Sequence, residues 1–140
     1  MTVSSSLEAT RYLDLHPSLP EDTPKELTDG FHSVRVPVLL NTALTAMKSS
    51  PAALQVTIQS ASRVLNIPEI TPAERAKALY RRGLAYAAFK QDEEAEADLV
   101  EADKSLGGRD AVLKAELEKV QTRRKEKREK EKKAFRGLFT

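Results

Sequence analysis

One stretch of the sequence, residues 76–102, constrains the fold of this chain more than any other. Small and large apolar residues recur in it at the spacing of two helices that pack together across a short turn. The positions that carry the pattern are Leu79, Gly83, Tyr86, Ala95, Leu99 and Ala102. Gly83 and Ala95 would let the two backbones approach closely, and the larger side chains would fill the space on either side. The stretch therefore predicts a packed helix pair.

Counted from Ala76, these six positions are those of a 34-residue tetratricopeptide repeat. A single repeat cannot bury its apolar face alone, so neighbouring repeats are expected. A weaker second repeat lies upstream, where Asn41 at repeat position six places Ala43 at the small position eight. The few extra residues between the two repeats can be absorbed by loops. We predict an all-α fold, a tetratricopeptide-repeat helical array of about two and a half repeats with a long C-terminal helix.

Composition agrees with a helical, soluble protein. Apolar residues make up 40% of the 140-residue chain and charged residues 31%, which is ordinary for a globular domain. No cysteine occurs, which excludes disulfides and thiolate chemistry. No apolar run approaches the roughly 20 residues of a membrane span, and residues 1–7 lack a signal-peptide pattern. We therefore expect no membrane partner and a cytoplasmic location, with the nucleus as the alternative.

Proline, glycine and charge divide the chain into segments. Helix periodicity stops at Pro17 and is broken again by Pro24 and the Asp29-Gly30 pair. We predict the following order: residues 1–16, the remnant second helix of a first repeat; 17–30, a loop; 31–67, the second repeat; 71–106, the third repeat; 109–140, a C-terminal capping helix and basic tail.

Local signals refine the ends of these helices. Thr71, with Glu74 three residues later, is a capping-box sequence that predicts a helix start. Gly107 and Gly108 predict a left-handed end for the helix before them. Pro37 lies either near the true start of the second repeat's first helix or at a kink within it.

The charge is organised by segment. Residues 91–118 carry a net charge of −7, and residues 123–133 carry +5. We interpret the acidic residues Glu93, Glu94, Glu96 and Asp98 as the outer, solvent-exposed face of a helix. We interpret Arg82 as a surface residue. We interpret residues 123–133 as a solvent-exposed helix stabilised by the pairs Glu126–Lys130 and Glu129–Lys133.

The basic tail has two functional alternatives. A calmodulin-like partner could grip Phe135, Leu138 and Phe139 beside the basic run. A nucleic acid could bind the bases, but we do not expect it, because interleaved glutamates dilute the field and no stacking aromatics accompany the bases.

The sequence shows no catalytic arrangement. His16 and His32 stand apart, and neither a metal-ligand spacing nor a glycine-rich phosphate loop occurs. We expect no catalytic residue, no metal and no cofactor.

Several segments together resemble the carboxy-terminal part of a protein family. They are KALYRRG at residues 77–83, EAEADLVEA at 94–102, KEKKAFRGLF at 130–139 and ATRYLDL at 9–15. Over residues 9–140 the chain resembles the tetratricopeptide-repeat part of the cyclophilin 40, or peptidyl-prolyl isomerase D, co-chaperones, and particularly their fungal members. Related immunophilin co-chaperones share the repeat core, and the tail favours the cyclophilin type.

The resemblance implies a non-catalytic co-chaperone module. Its groove would hold the acidic C-terminal peptide of heat shock protein 90, or of the 70 kDa chaperone, in a carboxylate clamp. The clamp residues that carry over are Asn41, Lys77 and Arg81. The clamp is predicted to be partial, because the family also uses a Lys and an Asn from a helix that has no counterpart before Ser4.

Two other interpretations remain open. The family's isomerase domain, about 165 residues and rich in β-structure, has no counterpart in this chain, so we expect no prolyl isomerase activity. The chain is then either an adaptor or a truncated piece of an isomerase. The other alternative is a scaffold, or a self-associating helical-repeat fragment, that uses the face left open by the missing helix.

Overall fold

A computed structural model describes residues 19–139, and this part of the chain is an all-α helical array. The all-α prediction is confirmed. The helices are α1 (Lys25–Ser49), α2 (Leu54–Leu65, entered through a 3-10 turn at Pro51–Ala53), α3 (Pro72–Ala88), α4 (Asp92–Ser105) and α5 (Ala111–Gly137). None of the helices formed by residues 19–139 combines the length and apolar character that crossing a membrane requires.

Each helix packs against the next one along the chain, and α1 also contacts α3. The interior forms two apolar clusters that both include Leu65 at their margin. The first joins α1 to α2 through residues such as Leu39 and Val64. The second joins α3, α4 and α5 through Leu79 and Leu99 and residues of α5. The core is therefore continuous along the array, as expected of stacked helix pairs.

Local capping signals account for where the helices begin and end. Thr71 Oγ1 accepts the Glu74 backbone N–H at 3.1 Å, and Glu74 Oε1 accepts the Thr71 backbone N–H at 3.0 Å, which confirms the capping box. Gly107 and Gly108 both have φ of 68°, a left-handed conformation that costs glycine little. The predicted end of α4 is confirmed.

Gly83 lies where α3 packs closely against α4. A Cβ built on Gly83 would lie 2.9 Å from Leu99 Cγ and 3.3 Å from Asp98 Cβ. Ala95, Leu79 and Leu99 are fully buried around it. The predicted use of small residues at this crossing is confirmed.

The substitution Gly83→Ala is expected to destabilise the fold by up to about 2 kcal/mol. Overpacking against Leu99 costs about 1–3 kcal/mol, and better helix propensity returns only about 1 kcal/mol. Gly30→Ala is the matched control, because Gly30 is also helical but has no atom within 4 Å of its added Cβ. It is expected to stabilise by about 0.5–1 kcal/mol. Chemical denaturation of both variants measures whether the free energy of unfolding falls for Gly83→Ala and rises for Gly30→Ala. Changes in the same direction would contradict the close packing at Gly83.

The start of α1 differs from the prediction. The loop predicted for residues 17–30 ends at Pro24, and Asp29 and Gly30 lie inside α1. Glycine within a helix costs about 1 kcal/mol, which the packing of the later turns of α1 offsets. Pro37 lies inside α1 rather than at its start. The helix predicted within residues 1–16 lies outside the described residues.

Candidate functional site

The three residues predicted to bind a carboxylate lie on α1 and α3, two helices that contact each other. Lys77 and Arg81 lie on α3, four residues apart and therefore on one face. Arg81 Nη1 donates a hydrogen bond to the backbone carbonyl of Leu40 on α1 at 2.6 Å. Asn41 is the residue that follows this acceptor. The bond thus ties Arg81 to α1 beside Asn41.

The three side chains differ in exposure. Asn41 and Lys77 are exposed, whereas Arg81 is partly buried. Burial lowers the pKa of Arg81, but a guanidinium is so strongly basic that it still carries its charge at neutral pH. Arg81 is therefore a partly desolvated cation held by a backbone acceptor, whereas the ammonium of Lys77 and the amide of Asn41 are open to solvent.

Metal chemistry has no support among the described residues. Within residues 19–139, no three His, Cys, Asp or Glu side chains are gathered in a way that could hold a metal ion. His32 lies on α1, far along the helix from Asn41, and His16 falls outside the described residues. The chemical groups of Asn41, Lys77 and Arg81 suit an anion.

Arg82 is not the surface residue that the sequence predicted. Its Nε and Nη2 donate to the two oxygens of Asp98 on α4 at 2.7 and 2.8 Å, and its Nη1 donates to Ser62 Oγ on α2 at 3.1 Å. Only 8% of the Asp98 side chain is exposed. The hydrogen bonds that Arg82 donates to Asp98 raise the pKa of Arg82. The pair joins α2, α3 and α4 at the level of Gly83.

The sequence contains a signal for the ion pair between Arg82 and Asp98. Asp98 lies on the same helical face as Ala95, Leu99 and Ala102, and all four residues are buried. An acid on such a face requires a cationic partner, because an unpaired buried charge is strongly unfavourable. The interpretation of all these acids as an outer helix face was therefore wrong for Asp98.

The first two residues of the predicted basic tail hold α5 against α4. Arg123 donates to both oxygens of Asp92, with the shortest distance 2.6 Å, and also to the Ala87 carbonyl at 3.4 Å. Arg124 pairs with Glu96 and with Glu93. The opposite charges of the two segments therefore meet in an interface, and Arg123 and Arg124 are not part of a freely solvated run.

Every residue from 125 to 139 is exposed, first along the rest of α5 and then in the turn that follows it. Its intrahelical ion pairs are Lys127–Glu131 at 4.0 Å and Glu129–Lys132 at 3.2 Å, instead of the two that were predicted. The rings of Phe135 and Phe139 meet edge to face, with centroids 5.0 Å apart. The solvent-exposed helix predicted for the tail thus begins at residue 125.

The contact between α4 and α5 is expected to weaken in acid. The hydrogen bonds from Arg123 lower the pKa of Asp92, and those from Arg124 lower the pKa of Glu96. Because both pKa values are lower in the folded chain, the stabilisation is complete above about pH 4.5, where unfolded Asp and Glu are ionised. It is lost as the pH falls through the lowered folded values.

Urea unfolding between pH 7 and pH 2.5 measures this effect. The double variant Asp92→Asn/Glu96→Gln should lose less stability than the wild type over this range, because it lacks the two titrating groups. Glu94→Gln, a change of an exposed acid on the same helix, should follow the wild-type pH curve. Parallel curves for the wild type and the double variant would contradict the role of these pairs.

Comparison with known proteins identifies relatives but no matching family model. The chain is 45% identical over 134 residues to a peptidyl-prolyl cis-trans isomerase D of Cryptococcus neoformans, an alignment that covers 94% of this chain and 36% of the relative. It is 37% identical over 146 residues to the protein of the same name in Mycosarcoma maydis, covering 95% of this chain and 36% of that protein. For the Kluyveromyces lactis protein of that name, the identity is 35% over 121 residues. The chain thus spans about a third of the length of the curated relatives it matches.

Proposed function

Since the chain matches the carboxy-terminal part of fungal peptidyl-prolyl cis-trans isomerase D proteins, we propose that it is a tetratricopeptide-repeat co-chaperone module. It binds the acidic C-terminal peptide of heat shock protein 90. Lys77, Arg81 and Asn41 form a partial carboxylate clamp for the end of that peptide. The module contributes binding rather than isomerase catalysis, and it acts in the cytoplasm.

The observation that carries this proposal is the hydrogen bond between Arg81 and the Leu40 carbonyl. Arg81 and Asn41 lie 40 positions apart in sequence, and only the packing of α3 on α1 can make them neighbours. The bond also uses one nitrogen of the Arg81 guanidinium and leaves other N–H groups for a ligand. A preorganised donor loses little freedom when a ligand binds.

The chemistry of the three side chains suits a carboxylate. Guanidinium and ammonium groups form charge-assisted hydrogen bonds with carboxylates, and an amide adds a neutral donor. The terminal carboxylate of a flexible peptide is well solvated, so several convergent donors are needed to hold it. An acidic peptide would also be attracted to the two cations before contact.

A titration with two peptides tests this function. The first is an acidic peptide with a free terminal carboxylate, and the second has the same sequence with an amidated C-terminus. The free acid is expected to bind at least tenfold more tightly, and its affinity should fall as salt is added. Equal binding of the two peptides would contradict the clamp. The corresponding peptide of the 70 kDa chaperone, measured in parallel, determines the chaperone preference.

Self-association is the alternative function that an observation favours. Leu27 and Val34 on α1 are 64% and 57% exposed among the described residues. A scaffold that dimerises through this face would fail to bind either peptide and would show a mass that increases with concentration. Light scattering at several concentrations, run beside the titration, separates the two functions.

A further inference from the structure

The end of α5 and the turn after it carry a group of exposed, large apolar side chains. We call this group the apolar end and define it as Phe135, Leu138 and Phe139. Their exposed fractions are 63%, 79% and 76%, so no other residue among 19–139 covers them. The spacing i, i+3, i+4 places them on one side of the helix, and the two phenylalanine rings touch edge to face. The apolar end is therefore one contiguous exposed surface.

Helix α5 carries this surface away from the rest of the array. Arg124 pairs with Glu96 of α4, and every residue from 125 to 139 is exposed. Phe135 follows Arg124 by 11 residues, which corresponds to about 16 Å along the helix axis. The apolar end can therefore touch an extended surface while the array stays clear of it.

The charged residues of this segment are divided unevenly around the helix. Residues 125–139 contain seven basic and three acidic side chains. At about 100° per residue, four of the bases but only one of the acids lie within about 80° of Phe135. The bases are Lys125, Lys127, Arg128 and Lys132, and the acid is Glu131. Glu126 and Glu129 lie on the other side. The interleaved glutamates therefore dilute the positive field least beside the apolar end.

We propose that the apolar end of α5 inserts into the surface of an anionic lipid bilayer. Large apolar side chains flanked by Lys and Arg are typical of helices that bind at the membrane interface. The phenylalanine and leucine side chains enter the boundary between headgroups and acyl chains, and the neighbouring cations contact the anionic headgroups. The expectation of no membrane partner concerned spanning segments and signal peptides, and this contact needs neither. It is reversible, because one small apolar group anchors a protein only weakly.

A groove-forming protein is the competing occupant, and the distribution of apolar residues argues against it. Such a partner holds a helix by apolar anchors spread over two or more turns, at spacings such as i, i+4 and i+7. The apolar end supplies its anchors within little more than one turn. The preceding large apolar residues of α5, Leu117 and Val120, are packed in the second apolar cluster. A bilayer requires only a local apolar group surrounded by positive charge.

Co-sedimentation of the full chain with lipid vesicles tests the proposal. Vesicles of phosphatidylcholine alone are compared with vesicles in which about a third of the lipid is phosphatidylserine. The partition coefficient is expected to be about tenfold higher or more for the anionic vesicles, because several cations act together at a negative surface. It should fall as salt is added.

Two pairs of variants locate the contact on the molecule. Phe135→Ser/Phe139→Ser should lower the partition coefficient by about tenfold or more, whereas Val112→Ser should not change it. Val112 is the matched control because it is 64% exposed and lies in the first turn of α5. Arg128→Gln/Lys132→Gln should weaken binding more than Lys130→Gln/Lys133→Gln. The second pair removes the same charge from the opposite side of the helix.

Three results would overturn the proposal. Absence of binding to the anionic vesicles, or equal binding to both kinds, would leave the apolar end to a protein partner. Equal losses for Phe135→Ser/Phe139→Ser and Val112→Ser would place the contact elsewhere. Equal losses for the two charge variants would mean that the vesicles respond only to net charge. None of these results depends on the acidic peptide, so the proposed clamp stands or falls separately.

Discussion

Replacing Asp98 with alanine is expected to reduce the free energy of unfolding by about 3 kcal/mol. The substitution leaves the Arg82 guanidinium without its bidentate partner, in a position where only 22% of its side chain is exposed. Removing one member of a buried ion pair costs about 3–5 kcal/mol. The residual exposure of Arg82 places the expected value at the lower end of that range. Urea unfolding of the wild type and the variant gives the value directly.

The same interface offers a matched control for this prediction. Arg75 pairs with Glu101 across α3 and α4, but their side chains are 42% and 47% exposed. Glu101→Ala should therefore cost less than about 1 kcal/mol. A double-mutant cycle between Asp98 and Arg82 should show strong coupling between the two substitutions. A change at Asp98 no larger than the change at Glu101 would contradict the structural role of the buried pair.

Removing both cations of the proposed clamp, Lys77 and Arg81, is expected to abolish measurable binding of the acidic peptide. Each charge-assisted hydrogen bond contributes about 1.5–3 kcal/mol, so Lys77→Ala alone should weaken binding by about ten- to a hundredfold. The double variant Lys77→Ala/Arg81→Ala should lose both contributions. Isothermal titration calorimetry measures the dissociation constants.

Lys77→Ala is the more informative single change. Lys77 is exposed, and alanine is a better helix former, so the fold should keep its stability. Arg81→Ala also removes the hydrogen bond to Leu40 and can loosen α1 from α3. Lys104→Ala, an exposed cation on α4, is the control that should leave the affinity unchanged. Equal losses of affinity for Lys77→Ala and Lys104→Ala would show that peptide binding depends only on the net charge of the chain.

Much of the fold could be predicted from the sequence because its signals are local. The capping box of Thr71 and Glu74 spans three residues, and the glycine pair that ends α4 is adjacent in sequence. The crossing at Gly83 could be predicted because small residues leave few other ways to pack two helices. The choice of Asn41, Lys77 and Arg81 came from the resemblance to the cyclophilin 40 family, and their use as a clamp stays a prediction.

The errors concern contacts that depend on how helices align in space. Arg82 and Asp98 are 16 positions apart, and Arg123 and Asp92 are 31 apart. Their pairing depends on how far one helix slides along the next, which a charge count does not contain. The early start of α1 has a similar cause. Gly30 signals a break locally, but the continued packing of α1 maintains the helix through it.

The most direct test of the central claim is NMR of the chain during titration with the acidic peptide. The proposed clamp predicts that the side-chain amide of Asn41 and the signals of Lys77 and Arg81 shift first and most. The amide signals of residues 125–139 should stay in place. Large shifts confined to residues 125–139, with the signals of Asn41, Lys77 and Arg81 unchanged, would contradict the carboxylate clamp.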